Sequence, residues 1–210
     1  MRIDPKYAWA HVNRADVRHR LGDVQGAIED CDAAIRVAPR YEWAYALRGF
    51  CKCETGDYKG AIADSEAALR IYPKYAWPLA GRGIAKSYLG DRRGALADCE
   101  AAIRLAPHSY CGYAGRGRVK SLLGNNRSAL KDLDTAIRMS PKYAWAYAWR
   151  ASVKLSLGDA GGALADCNSA SRIDPRCTDA LQLRDRARQG LRALDLRSAA
   201  SGPATPLKRP

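Results

Sequence analysis

The chain has one phenylalanine, two methionines and three histidines in 210 residues. No apolar run reaches about 18 residues, so no membrane-spanning helix is expected. Nor does the start of the chain hold the unbroken apolar stretch of a secretory signal. There is no phosphate-binding loop or dinucleotide fingerprint, and no arrangement of Ser, His and Asp suits nucleophilic catalysis. His11 and His19 lie about 12 Å apart along one predicted helix and cannot share a metal ion; His108 follows Pro107 in a loop. Acidic residues are the scarcer charge, 22 against 35 Lys and Arg, for a net charge of +13. A cytoplasmic, non-catalytic protein with no cofactor and no metal is expected.

Proline is present at a fixed interval. Pro5, Pro39, Pro73, Pro107, Pro141 and Pro175 follow one another at thirty-four residues, and a period of that length is a sign of a repeat architecture. With repeats set to begin at Ala8, Glu42, Ala76, Tyr110 and Ala144, other residues fall into columns. The eighth place is Ala or Gly (Ala15, Gly49, Gly83, Gly117, Ala151) and the twentieth is Ala (Ala27, Ala61, Ala95, Ala129, Ala163). Small residues there let two helices approach to roughly 8–10 Å. The fifteenth place is Gly in every repeat, from Gly22 to Gly158, the C-cap of a first helix. An Asp or, once, Asn125 comes next and caps a second helix, which the proline ends.

On these columns the chain resembles the tetratricopeptide repeat (TPR) family. Its Trp column reads His11, Tyr45, Leu79, Tyr113 and Tyr147 here, and its Leu column is Arg in every repeat. The resemblance implies an all-α TPR solenoid: five helix-turn-helix repeats in a right-handed superhelix, closed by a C-terminal capping helix. The expected units are 8–41, 42–75, 76–109, 110–143 and 144–177, then the cap at 178–197 with an apolar stripe at Leu181, Ala187, Leu191 and Leu194. A disordered tail is expected at 198–210. Residues 1–7 read as the remnant of a preceding repeat, because Arg2-Ile3-Asp4-Pro5 repeats Arg172-Ile173-Asp174-Pro175.

The seven cysteines follow the repeat. Cys31, Cys99 and Cys167 take a core column as small apolar fillers rather than disulfide or metal partners. Each repeat also carries an Arg at its seventh place and an Asp at its twenty-third, on facing helices, which predicts a ladder of partly buried ion pairs. The basic residue four places after each Arg is expected to cover apolar surface with its stem while its head reaches water.

The second place reads Trp9, Trp43, Trp77, Cys111 and Trp145. The resemblance places it near the concave surface, where these rings either make a stacking rail for an extended peptide or pack between hairpins. It implies an interaction scaffold for a protein or peptide partner, the segment acidic or apolar, bound in an open concave groove. The candidate groove residues are Trp9, Trp43, Phe50, Trp77, Ile84, Arg118, Trp145 and Trp149. The family's carboxylate clamp for heat-shock chaperone C-termini is absent. Its fifth-place matches are Val12, Ala46, Ala80, Ala114 and Ala148, and its ninth-place matches are Asp16, Phe50, Ile84, Arg118 and Ser152. Two alternatives stay open. One is RNA or single-strand binding through the basic third and fourth repeats, disfavoured because Trp and Ala stand where base-reading polar residues would be needed. The other is the recognition part of a larger enzyme.

Overall fold

The computed structural model describes residues 5–200, with side chains from 7 to 193. Among them are eleven helices and no strand: α1 (Pro5–Arg20), α2 (Val24–Val37), α3 (Glu42–Glu54), α4 (Tyr58–Ile71), α5 (Ala76–Tyr88) and α6 (Arg92–Leu105) in the first three hairpins. They continue as α7 (Tyr110–Leu122), α8 (Asn126–Met139), α9 (Ala144–Ser156), α10 (Ala160–Ile173) and α11 (Thr178–Ala200). Each odd-numbered helix packs on the next even-numbered one, and hairpins stack in chain order into a solenoid. No helix among the described residues is long and apolar enough to cross a membrane. The expected remnant at 1–7 is helical from Pro5, since proline fits a first helical turn; residues 1–4 lie outside the described residues. Helix α11 covers the first three residues of the expected tail, and 201–210 lie outside.

The turns obey the columns. All five fifteenth-place glycines have φ of 80–85°, a conformation that costs glycine little. The side chains of Asp23, Asp57, Asp91 and Asp159 accept hydrogen bonds from the N–H of Gly26, Gly60, Gly94 and Gly162 at 2.8–2.9 Å. Asn125 makes no such bond. It is also the cap followed by Ser128 where the others have glycine. A Cβ on those glycines would run into the capping carboxylate, so cap and glycine belong together.

The small columns set the hairpin spacing. A Cβ built on Gly83 would lie 2.7 Å from Cys99 Sγ and 2.8 Å from the Ala95 carbonyl oxygen, and one on Gly117 would lie 2.7 Å from Leu133 Cγ. Cys31, Cys99 and Cys167 are fully buried and unpaired. Burial pushes the Cys31 thiol up to about 12, so it is neutral at physiological pH and fills space. In the last interface α11 buries Ala180, Leu183 and Ala187; of the expected stripe only Ala187 is fully buried, Leu181 and Leu191 are half-buried, and the side chain of Leu194 lies outside those described.

The ion-pair ladder is present in every hairpin. Arg14, Arg48, Arg82, Arg116 and Arg150 each donate through Nε and Nη2 to both oxygens of Asp30, Asp64, Asp98, Asp132 and Asp166 at 2.5–2.9 Å. The heads of Lys52, Lys86, Lys120 and Lys154 do not simply reach water: each lies 2.7–2.9 Å from the same aspartate. A carboxylate buried between two helices needs more than one donor, and the lysine supplies it. Arg48 also reaches Asp32 at 2.5 Å and Arg150 reaches Asp134 at 2.7 Å, each in the preceding repeat. The ladder thus joins neighbours as well as partners. At Asp30 the hydrogen bonds from Arg14 hold the carboxyl below its ordinary value.

Candidate functional site

On a first helix the second, sixth, ninth and thirteenth places are spaced i, i+4, i+7 and i+11, and so share one face. That face lines the inside of the solenoid. It presents Trp43, Leu47, Phe50 and Glu54 from α3, Trp77, Gly81, Ile84 and Tyr88 from α5, Arg118 from α7, and Trp145 and Trp149 from α9.

The inside is not an open groove. Phe50 meets Trp145 edge-to-face with ring centroids 6.3 Å apart, although α3 and α9 belong to the second and fifth repeats. Farther along the same seam Arg176 Nη1 donates to the Leu21 carbonyl oxygen. Among successive first helices, α5 and α7 share the most extensive contact. Gly115 stands where even a Cβ would be 3.0 Å from that of Ala80. Small residues at this junction let the two first helices pack closely.

The Phe50–Trp145 contact divides the channel. The larger compartment, about 440 Å³, is bounded by His19, Trp43, Trp77, Tyr143 and Asp174. Here His19 Nε2 lies 2.9 Å from a Glu54 carboxylate oxygen, and its ring meets Phe50 edge-on at 5.2 Å. Burial opposes charge on His19, but the hydrogen bond with Glu54 and the charges of Glu54, Asp16 and Asp174 together outweigh it and raise its pKa.

The smaller compartment, about 270 Å³, is walled by Phe50, Tyr58, Ile84, Tyr88, Trp145 and Trp149. Gly81 forms part of its floor, and a Cβ there would meet nothing. A glycine in mid-helix costs about 1 kcal/mol relative to alanine, so the room comes at the expense of helix stability. Tyr58 and Tyr88 stack at 4.4 Å with planes 6° apart. Arg118 donates from Nη2 to the Tyr88 hydroxyl at 2.6 Å. Its guanidinium lies 5.9 Å from the centre of the Tyr88 ring and 5.8 Å from that of Trp149. Unlike the ladder arginines, Arg118 has no carboxylate within ion-pair distance among the described residues. Asp179, on the rim, has its carboxyl pushed up by burial, with Arg118 acting in the opposite direction.

Of the eight groove residues expected from sequence, the structure brings Phe50, Ile84, Arg118, Trp145 and Trp149 to the smaller compartment. Trp43 and Trp77 border the larger one while also packing on the first hydrophobic cluster. Trp9 is 60% exposed and borders neither. Trp149 is only 6% exposed and packs into the core of the fourth and fifth repeats. The tryptophans therefore do not form one continuous rail: Cys111 interrupts the column, and Trp9 stands apart. His19, Glu54, Tyr58 and Tyr88 were not among the residues expected in the groove. Glu54 and Tyr88 share the thirteenth place, on the same face as the expected residues, and could have been found from that spacing. Tyr58 opens a second helix and reaches the channel only through the turn of the solenoid. Among the described residues no group of His, Cys, Asp and Glu could hold a metal ion.

Residues 115–176 match the family model described as tetratricopeptide repeat. No curated protein matches the chain. The fold is similar to that of a thermophilic TPR protein from Thermus thermophilus, with a TM-score of 0.73 at 20% identity, covering 88% of this chain and 98% of that one. A tetratricopeptide repeat protein from Parabacteroides merdae gives a TM-score of 0.69 at 21% identity over 85% of this chain and 70% of its own. An APC/C hetero-tetramer gives 0.64 at 19% identity, over 88% of this chain and 37% of the matched one. At such identities the likeness is one of fold. With the family model matched over the fourth and fifth hairpins, and the same glycine turns and prolines recurring from the first, the chain has the fold of a tetratricopeptide repeat solenoid, and residues 115–176 match that family.

Proposed function

We propose that this protein is a non-catalytic interaction scaffold that takes an extended segment of a protein partner in its channel, an acidic group at Arg118 and apolar side chains against the surrounding rings. Tetratricopeptide repeat proteins bind protein partners, and one similar structure is a hetero-tetramer. The observation that carries the reading is Arg118: a guanidinium set among aromatic walls, facing a cavity of about 270 Å³, with one hydrogen bond made to Tyr88 and no carboxylate partner among the described residues. Its planar fork is suited to a carboxylate. Large amphipathic rings provide anchors for apolar side chains. Because Phe50 and Trp145 divide the path, the segment lays side chains into the two compartments and does not thread between them.

Labelled peptides that alternate Asp or Glu with Leu or Phe, screened by fluorescence polarisation, test this. The expected result is a binder that changes tryptophan emission and loses affinity at least about tenfold, or about 1.4 kcal/mol, in Arg118→Ala. A screen without binders, or a binder indifferent to Arg118→Ala that leaves the emission unchanged, contradicts it.

A further inference from the structure

The loops that join one repeat to the next all lie on one edge of the solenoid, and that edge is basic throughout. The twenty-ninth place, in the last turn of each second helix, is Arg in every repeat, from Arg36 to Arg172. The thirty-third, directly after the proline, is Arg, Lys or His in every repeat, from Arg40 to Arg176. All ten side chains are exposed. None is paired with a carboxylate within 4 Å among the described residues. Asp174 is the one acid between the twenty-ninth and thirty-fourth places of the five repeats. One turn earlier stand Asp32, Glu66, Glu100 and Asp134: Asp32 and Asp134 are held by the ladder arginines Arg48 and Arg150, Glu66 lies 3.8 Å from Arg82, and among the described residues neither glutamate comes within 4 Å of a strip cation. The strip therefore keeps its charge.

Helix termini account for part of this pattern. A helix C-terminus carries the equivalent of about half a negative charge, which one cation per repeat satisfies; the second is surplus at every rung. Repeats stack at roughly 10 Å, so the strip offers pairs of cations at regular steps along the edge.

We infer that this inter-repeat edge binds the phosphate backbone of a single-stranded nucleic acid. The choice over an acidic protein rests on what the strip lacks. Protein interfaces draw their energy from a central apolar cluster depleted of charge, whereas nucleic-acid interfaces are far more positively charged. Along this edge Tyr72, Leu105 and Met139 are exposed singly, one to a repeat, between the cations. They give isolated bases a surface to rest on but form no apolar centre. This site is distinct from the compartment at Arg118; at its C-terminal end it adjoins the larger compartment, which Lys142 borders and whose seam Arg176 joins through the Leu21 carbonyl.

The test is anisotropy of a fluorescein-labelled 20-nucleotide oligouridylate with the full chain, at a series of KCl concentrations. Arg70→Ala/Lys74→Ala/Arg104→Ala removes three cations from the edge. Arg92→Ala/Arg93→Ala/Arg127→Ala removes three exposed cations from the starts of α6 and α8, on the opposite edge. Circular dichroism confirms that both variants keep the helical fold, with Arg70→Glu as a single-site alternative. The expected result is at least about tenfold weaker binding for the first variant at about 100 mM salt, with the log–log salt slope reduced by about 2, at about 0.7 per phosphate lost. The second variant stays within about threefold of the parent. No binding at about 50 mM salt, or equal losses in both variants, overturns the assignment. So does displacement of the strand by polyglutamate at equal charge, which would make the partner an acidic protein.

Discussion

Asp98→Ala is expected to lower the melting temperature by about 10 °C. Asp98 is only 7% exposed and takes hydrogen bonds from Arg82 Nε and Nη2 at 2.8 and 2.6 Å, with Lys86 Nζ 2.8 Å away. Removing the carboxylate leaves two cations facing each other in a half-buried cleft between α5 and α6. Breaking such a group from one side costs about 3–5 kcal/mol, and in a chain of this size each kcal/mol shifts the midpoint by about 2–4 °C. The site lies in the third of five hairpins, so weakening it uncouples the halves of an array held by nearest-neighbour contacts. Glu66→Ala is the control: its carboxylate lies 3.8 Å from Arg82 in a half-exposed pair, worth at most about 1 kcal/mol. Thermal melts followed by circular dichroism separate the two. Equal melting temperatures for Asp98→Ala and the parent would show that the ladder is surface charge and no part of the core.

The second large effect is a coupling. In Gly117→Ala the new methyl meets Leu133 Cγ at 2.7 Å and Cδ2 at 3.0 Å; overpacking of this kind costs about 1–3 kcal/mol, offset by about 1 kcal/mol of better helix propensity. In Leu133→Ala a fully buried leucine is lost, at about 2–5 kcal/mol. In the double variant the added methyl occupies part of the space the leucine left. The combined loss is therefore expected to fall short of the sum of the single losses by about 1 kcal/mol or more. Urea denaturation of the four proteins measures it. Additive losses would mean that α7 and α8 are spaced by something other than this contact.

The first effect was legible in the residue columns, because the Arg–Asp pair recurs in every hairpin; of the second only the small eighth place was, since leucine faces it in the fourth repeat alone. The glycine turns and the Arg–Asp pairs are local consequences of spacing that every repeat states again, and the aspartate caps recur in all but the fourth. The lysine heads were less legible: spacing put them on the right face, and only the facing aspartate decided that they would turn inward. The channel was harder still. Whether Phe50 reaches Trp145 depends on how far each hairpin rotates against the next, summed across repeats. That sum depends on the packing at each junction, where small residues such as Ala80 and Gly115 look the same in sequence whether they bring two helices together or merely leave room. For the same reason Trp9 and Trp145 occupy equivalent places yet have unlike surroundings, one exposed at the end of the stack and the other pressed against Phe50.

Every functional reading of the channel depends on this closure. Spin labels on cysteines introduced at Leu21 and Pro175, which are exposed while most of the native cysteines are buried, and which leave the Arg176 donor and the Leu21 carbonyl in place, report it through their dipolar coupling. The closed turn predicts one short distance, below about 20 Å once label length is included, because Arg176 hydrogen-bonds to the Leu21 carbonyl in the parent. An open solenoid would hold the two positions roughly 40 Å apart, four steps of about 10 Å, and a distribution centred there would contradict the divided channel.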